Sequence, residues 1–221
     1  MTDFLRDLIL ISDPRVVAIP AADNAEPLVD LRDQGFVCRT DERKRHGNDD
    51  WVCVRQGVAE RLVAAQQVLP QGVRFLIAEG YRPLAVQARY YDEHLQELRG
   101  HHPDWHDDQL AHATALHVAP PDAAAHCTGG AVDLTLCDAD GTELDLGTAV
   151  NATPEESDMR CFTNHPGVVG AAAANRQTLI DALTSQGFIN YPSEWWHWSF
   201  GDRYWAFHTA TPKAVYGPTQ R

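Results

Sequence analysis

The spacing of apolar residues changes several times along the chain, and each change marks a predicted element. From Gly57 to Leu69, apolar Val58, Leu62, Ala65 and Leu69 recur at helical intervals until Pro70 and Gly72 stop the run, which predicts a helix with one core-facing side. Val73 to Ala78 then forms a short apolar strand that ends in a turn holding Glu79, Arg82 and Pro83. Helical spacing returns from Leu84 to Leu98, where Val86, Tyr90 or Tyr91, His94, Leu95 and Leu98 can share one side. Ala131 to Cys137 alternates strictly, so Val132, Leu134 and Leu136 point one way while Ala131, Asp133 and Thr135 point the other. Asp133 is therefore expected on the non-core face of a strand. Asp138 to Gly141 predicts a hairpin corner. A third helix is expected over Ala171 to Gln186, ending at Gly187, before a final strand that turns Trp196, Trp198 and Phe200 to one face and Trp195, His197 and Ser199 to the other.

Two regions lack such a period. The stretch after Leu98 carries five histidines, His101, His102, His106, His112 and His117, and predicts a long surface connection with at most a short helix in its middle. The first 56 residues have scattered apolar positions and a mixed-charge loop from Asp41 to Asp50, and no functional site is expected there. The order of elements is helix, strand, helix, loop, paired strands, helix, strand, without repeating β-α-β units. That order predicts an α+β fold rather than a doubly wound sheet. At 221 residues and 44% hydrophobic composition the chain reads as one domain, residues 1–221, with 1–56 as its less clearly patterned N-terminal part.

Charge narrows the partners. Lys and Arg total 18 against 31 Asp and Glu, a formal net charge of -13, which disfavours nucleic acid and anionic membrane because both require a cationic surface. No window approaches the roughly 20 apolar residues needed to span a bilayer, and the N-terminus carries no basic leader, so a soluble cytoplasmic protein is expected. Five scattered cysteines without a Cys-x-x-Cys pair read as reduced, buried small residues. Cys127 adjoins His126, but no second histidine has a defined position to activate it as a nucleophile.

Three segments place polar residues where a strand begins or ends: Arg82 after the first strand, His126 and Asp133 around the second, Glu194 and His197 at the third. His126, Asp133 and His197 would together supply two imidazole nitrogens and one carboxylate oxygen, a set suited to zinc with its fourth position open. Glu194 and His197 lie an odd number of residues apart, so a regular strand would turn them to opposite faces. A bulge, or a strand starting only after Glu194, would bring both to one ion. Glu194 could then move the proton of an attacking water and Arg82 could steady an oxyanion. Each of these residues also has an ordinary reading as a satisfied histidine, solvated acid, local cap or structural ion pair. No His-Glu-x-x-His helix is present, so spacing alone leaves both readings open.

The segments EGYRP (79–83), HCTGGAVDLTL (126–136), ANRQTLIDALTSQGF (174–188) and EWWHW (194–198) resemble, in order and spacing, the zinc D-alanyl-D-alanine dipeptidases of the wider D,D-peptidase group. The resemblance implies an α+β fold with a small central antiparallel sheet flanked by helices, and one zinc ion held by His126, Asp133 and His197. It also implies Glu194 as general base and acid, and Arg82 as the arginine that steadies substrate and transition state. The implied reaction is hydrolysis of a D,D-dipeptide such as D-alanyl-D-alanine. Around the substrate this chain departs from the family: Ala124, Ala125 and Cys127 stand where serines are usual, and Asn151 stands nearest the aspartate that binds the substrate ammonium. A second enzymatic reading is therefore a zinc amidase or peptidase acting on an N-blocked or other small amide. A third is a catalytically idle metal-binding or interaction protein. The sequence leaves the oligomeric state open.

Overall fold

The computed structural model describes residues 8–39, 49–115 and 118–221. Most of the predicted charged loop, residues 41–48, and His117 lie outside these residues. The chain begins with a single helical turn, α1 (Pro14–Val17), and three short strands, β1 (Leu28–Asp30), β2 (Val37–Cys38) and β3 (Cys53–Arg55). The patterned region follows as α2 (Gln56–Gln66), β4 (Arg74–Glu79), α3 (Leu84–His101), α4 (Asp107–Ala115) and β5 (Ala131–Cys137). It closes with α5 (Gly170–Thr184), β6 (Ile189–Asn190), β7 (His197–Ser199) and α6 (Arg203–His208).

Five strands form the main sheet in the order β2-β4-β5-β7-β6, and β1 pairs with β3 in a two-stranded sheet. The main sheet is mixed, which corrects the expected all-antiparallel one. β2 runs parallel to β4, with Val37 opposite Leu76 and Cys38 opposite Ile77. The segment between them contains β3 and α2, the kind of crossover a parallel pair requires. Because β2 is only two residues long within an unpatterned stretch, alternation could not signal it.

The core sits between the sheet and α2 and α5. Val58, Leu62 and Ala65 of α2, Phe75 and Ile77 of β4, Val132, Leu134 and Leu136 of β5 and Leu179 and Leu183 of α5 are buried in one cluster. Every residue of β5 is buried, including Asp133 on the face turned away from that cluster. The connection between α3 and β5 contributes Val118, Ala119, Ala124 and Ala125 to the cleft that Asp133 lines, and α4 within it is the short central helix expected from sequence. His101, His106 and His112 are exposed there, and His102 stacks on Trp105 with ring centroids 3.8 Å apart. The corner after β5 forms as predicted: the Gly141 N–H donates to the Asp138 carbonyl, and the Asp138 N–H donates to that of Thr142. All five cysteines are free thiols.

Candidate metal centre

Strand register brings the predicted residues together. Asp133 in β5 lies directly opposite His197 in β7. On the other side of β5 the β4 register shifts between Ile77 and Glu79, so that Glu79 becomes the partner of Asp133. This irregularity re-aims the end of β4 in the manner of a β-bulge. One glutamate, one aspartate and one histidine therefore stand at the same level on three adjacent strands. His126 joins them from a 3-10 turn, Ala125–Thr128, which Gly129 closes in the left-handed conformation with φ 70°. A Cβ at Gly129 would also press into the Leu28 side chain, so glycine meets both demands there.

Three atoms converge. Asp133 Oδ1 lies 3.0 Å from His197 Nδ1 and 3.3 Å from His126 Nε2, and the two nitrogens are 3.2 Å apart. His126 Nδ1 is 2.7 Å from the Gly80 carbonyl oxygen, a contact that requires it to carry the ring proton and donate. Its Nε2 therefore presents a lone pair toward Nδ1 of His197. Three donors converging at such distances suit a cation: ligands at about 2.0–2.2 Å in a tetrahedron stand roughly 3.4 Å apart. All three residues are buried, and no other group of three potential ligands converges among the described residues.

The electrostatics agree with the geometry. Burial by itself would raise the Asp133 pKa, but the His126 and His197 imidazoles hold it well below the ordinary carboxylate range. Burial would lower that of His197, and the hydrogen bond and charge of Asp133, aided by Glu194 and Asp202, instead raise it. Asp202 is a buried carboxylate that sequence analysis passed over. Its Oδ1 caps α6 by accepting the Trp205 N–H at 2.8 Å, while desolvation raises its pKa.

Arg82 is fixed in place. Its Nε and Nη2 donate to the two oxygens of buried Glu79 at 2.7 and 2.8 Å, and Nη1 donates to Gln87 Oε1 at 2.7 Å. Gln87 is held in turn by donation to the Ala119 carbonyl at 2.6 Å. Burial works against the guanidinium charge, but Glu79 more than compensates and the Arg82 pKa is raised. Glu79 and Gln87 were absent from the sequence-level site. Glu79 sits inside the EGYRP segment, where its pairing with Arg82 was in reach, whereas Gln87 had no signal.

Glu194 lies in a turn ahead of β7. Its N–H donates to the Tyr191 carbonyl at 2.9 Å, and its own carbonyl accepts the His197 N–H at 3.0 Å. Because the strand begins only at His197, the odd spacing does not force the two side chains apart. Glu194 lines the same cleft, of about 230 Å³, as Arg82, His126, Asp133 and His197. Ala124, Ala125 and Asn151 line it as well, and so does Ile11, contrary to the expectation that the first 56 residues contribute nothing to the site. Ile11 packs with Tyr191 and Tyr204, so the N-terminal segment forms part of the wall. Cys127 is fully buried, and desolvation pushes its pKa up to about 12, with Arg82 opposing the rise. It remains a neutral thiol at neutral pH.

Gly80 couples the core to this centre. Its N–H donates to the Trp51 carbonyl at 2.6 Å, and its carbonyl accepts from His126, while an added Cβ would collide with the Cys53 backbone carbonyl. Gly80→Ala is expected to destabilise the fold by about 1–3 kcal/mol, as overpacking does. The measurement is the urea unfolding midpoint of the metal-free protein. An unchanged midpoint would mean that the backbone there yields freely.

Comparison with known proteins agrees with this geometry. The model of the D-ala-D-ala dipeptidase family, peptidase M15, matches residues 27–213. The chain belongs to this family. With the His/Asp/His cluster, family membership makes it a zinc metallopeptidase. Among the M15 relatives, the D-alanyl-D-alanine dipeptidase of Synechocystis sp. is 26% identical over 222 residues, covering 86% of this chain and 88% of that protein. The Escherichia coli D-alanyl-D-alanine dipeptidase is 42% identical over 72 residues, covering 33% of this chain and 35% of that protein. Among solved structures, the LdcB LD-carboxypeptidase aligns with a TM-score of 0.49 at 17% identity, covering 90% of this chain and 83% of that one. VanYB in complex with D-alanine-D-alanine aligns at 0.47 with 18% identity, covering 92% and 91%. No helix among the described residues is long and apolar enough to cross a membrane.

Proposed function

We propose that this peptidase hydrolyses a D,D-dipeptide unit such as D-alanyl-D-alanine, using one zinc ion per chain held by His126 Nε2, Asp133 Oδ1 and His197 Nδ1. The observation that carries the reading is the convergence of these three atoms, at 3.0 to 3.3 Å from one another, on a cleft shared with Glu194 and Arg82. The relatives named above as D-alanyl-D-alanine dipeptidases support the substrate class. A cleft of about 230 Å³ is below the usual range for drug-sized ligands and suits two small residues. Zinc, when bound, supplies a Lewis acid that polarises the scissile carbonyl and brings the pKa of its water to about 7.

The protein's own residues do the rest. Glu194 takes the proton from the attacking water and delivers it to the nitrogen of the leaving amine, so the C–N bond breaks without a covalent enzyme intermediate. Arg82 donates three N–H groups to Glu79 and Gln87, and the two that remain of its five are available to the developing oxyanion or the substrate. The Glu79 clamp keeps that charge aimed without reorganisation during the reaction. The Gly80 carbonyl holds the His126 tautomer, as a backbone acceptor commonly does behind a metal-bound imidazole. Buried Trp195 and Trp196 behind the Glu194 turn exclude water and strengthen the electrostatics in the cleft.

The test is D-alanine release from D-alanyl-D-alanine peptides by zinc-loaded protein, by the same protein stripped with a chelator, and after zinc is restored. Release is expected to disappear with the metal and return with it. No release from any D,D-peptide by zinc-loaded, folded protein would refute the reading.

A further inference from the structure

A metal ion on Nδ1 of His197 obliges Nε2 to carry the ring proton, because a neutral imidazole has one N–H and one lone pair. The two imidazoles of the centre differ in what stands behind them. His126 gives its outer N–H to the Gly80 carbonyl at 2.7 Å, whereas His197 Nε2 is buried and makes no hydrogen bond within the protein. The His197 ring is confined: it packs edge-on against His126 and Tyr191, with centroids 4.8 and 5.9 Å apart, and Asp133 holds its Nδ1. At 4% exposure bulk solvent does not reach it. An acceptor for Nε2 must come from the residues behind the ring.

The chain just after His197 places a carboxylate there. Ser199 lies two residues on and shares the strand face of His197, and Asp202 follows at the start of α6. Asp202 is 2% exposed and Ser199 is fully buried. Asp202 Oδ1 is committed to the Trp205 N–H, but Oδ2 and Ser199 Oγ make no hydrogen bond within the protein. Buried polar atoms are seldom left in that condition, because each costs its full desolvation. Electrostatics also link these groups. Burial raises the Asp202 pKa, while the Trp205 N–H, the Ser199 hydroxyl and the His197 and His126 imidazoles pull it down, and Asp202 in turn helps to raise that of His197. Asp202 lines a small cavity that shares Ile11, Ala124 and Ala125 with the metal cleft, so the carboxylate stands on the far side of the cleft's own wall.

Resting on the zinc reading above, we infer that Asp202 is a positioning residue for His197, its free carboxylate oxygen being the acceptor that fixes the proton on Nε2 and so keeps the Nδ1 lone pair on the metal. Ser199 is placed to relay the contact, since a hydroxyl can accept from Nε2 and donate to Oδ2. A carboxylate behind a metal-bound imidazole also makes the ring a stronger ligand.

The experiment measures the zinc dissociation constant of wild type, Asp202→Asn and Asp202→Ser by competition with a chromophoric chelator. It adds the urea midpoint of each metal-free protein and the proton–nitrogen NMR spectrum of the histidine rings in the zinc-loaded ones. Asn and Ser cap helices about as well as Asp, so both keep the bond to Trp205. Asn has one acceptor oxygen, which that bond uses, and turns donors toward Nε2 instead. Both variants are expected to bind zinc about 10- to 100-fold more weakly, with no loss of metal-free midpoint. The wild-type spectrum is expected to show the His197 proton on Nε2 and shifted downfield by its hydrogen bond, with the shift lost in Asp202→Asn. Wild-type zinc affinity in either folded variant would overturn the inference and leave the zinc site standing. Weaker binding matched by a lower metal-free midpoint in both variants would reduce Asp202 to the cap of α6 and overturn it as well. No zinc binding by wild type would overturn the zinc reading itself. If neither variant folds, the wild-type spectrum decides, and an Nε2 proton without the downfield shift refutes the role.

Discussion

Glu194→Ala is expected to keep its zinc and its fold and to lose about 1,000-fold or more in kcat. General acid or base catalysis contributes roughly 100- to 10,000-fold, and Glu194 is assigned both halves of the proton transfer. The side chain is only half-buried, and its backbone holds the turn through hydrogen bonds that alanine keeps: Glu194 N–H to the Tyr191 carbonyl, and its own carbonyl to His197 N–H and Asn190 Nδ2. The thermal midpoint of zinc-loaded protein and the zinc stoichiometry should therefore match wild type. Single-turnover D-alanine release from the preferred peptide checks the kinetic loss. Equal activity in wild type and variant would end the assigned mechanism. Zinc binding without hydrolysis in wild type would favour an idle metal-binding protein.

Asp133→Asn is expected to weaken zinc binding by more than about 100-fold, since even losing a hydrogen bond behind a ligand costs about 10- to 100-fold. At zinc 1,000-fold above the wild-type dissociation constant, binding stabilises the native state by about 4 kcal/mol, and most of that should vanish in the variant. Competition with a chromophoric chelator and zinc-dependent thermal shifts measure both effects. Wild-type affinity in Asp133→Asn would exclude this carboxylate as a ligand.

The same pair sets a pH dependence. In metal-free protein the Asp133–His197 ion pair needs an ionised carboxylate and a protonated imidazole. Asp133 is depressed, so its contribution is present above the ordinary value of about 3.9 and is lost as pH falls through the depressed one. His197 is raised above 6.5, so its contribution is complete below that value and is lost as pH rises through the folded pKa. Zinc takes the neutral imidazole and reverses the upper limb, because its binding displaces a proton that becomes easier to remove as pH rises. Zinc-induced stabilisation should therefore grow between about pH 6 and pH 8. Stabilisation constant over that range would refute the coupling.

Much of the fold could be read from local pattern. The helix at Gln56–Gln66 and the strand at Ala131–Cys137 follow the period of their apolar residues because each buries one face against the same core, whereas the helix at Leu84–His101 lies outside that core and packs on α4. Elements too short to show a period, β2 and β6 with two residues each and β7 with three, could not be delimited in that way. They depend on neighbouring strands for their hydrogen bonds, and β2 turned out to be the parallel member of the sheet.

For the site, the sequence by itself determined the chemical inventory: two histidines, an aspartate, a glutamate and an arginine, in an order that resembles one family. It also determined the strand face that carries Asp133, since alternation is a local property of the backbone. Only the tertiary structure decided that Asp133 pairs with His197, that a shift in the β4 register sets Glu79 beside them, and that a turn rather than a strand presents Glu194. The same holds for Ile11 in the cleft wall and for Asn151 between two cavities. The physical reason is sequence separation. Contacts across 64 residues, as between Asp133 and His197, arise from sheet register and packing, which no local spacing encodes.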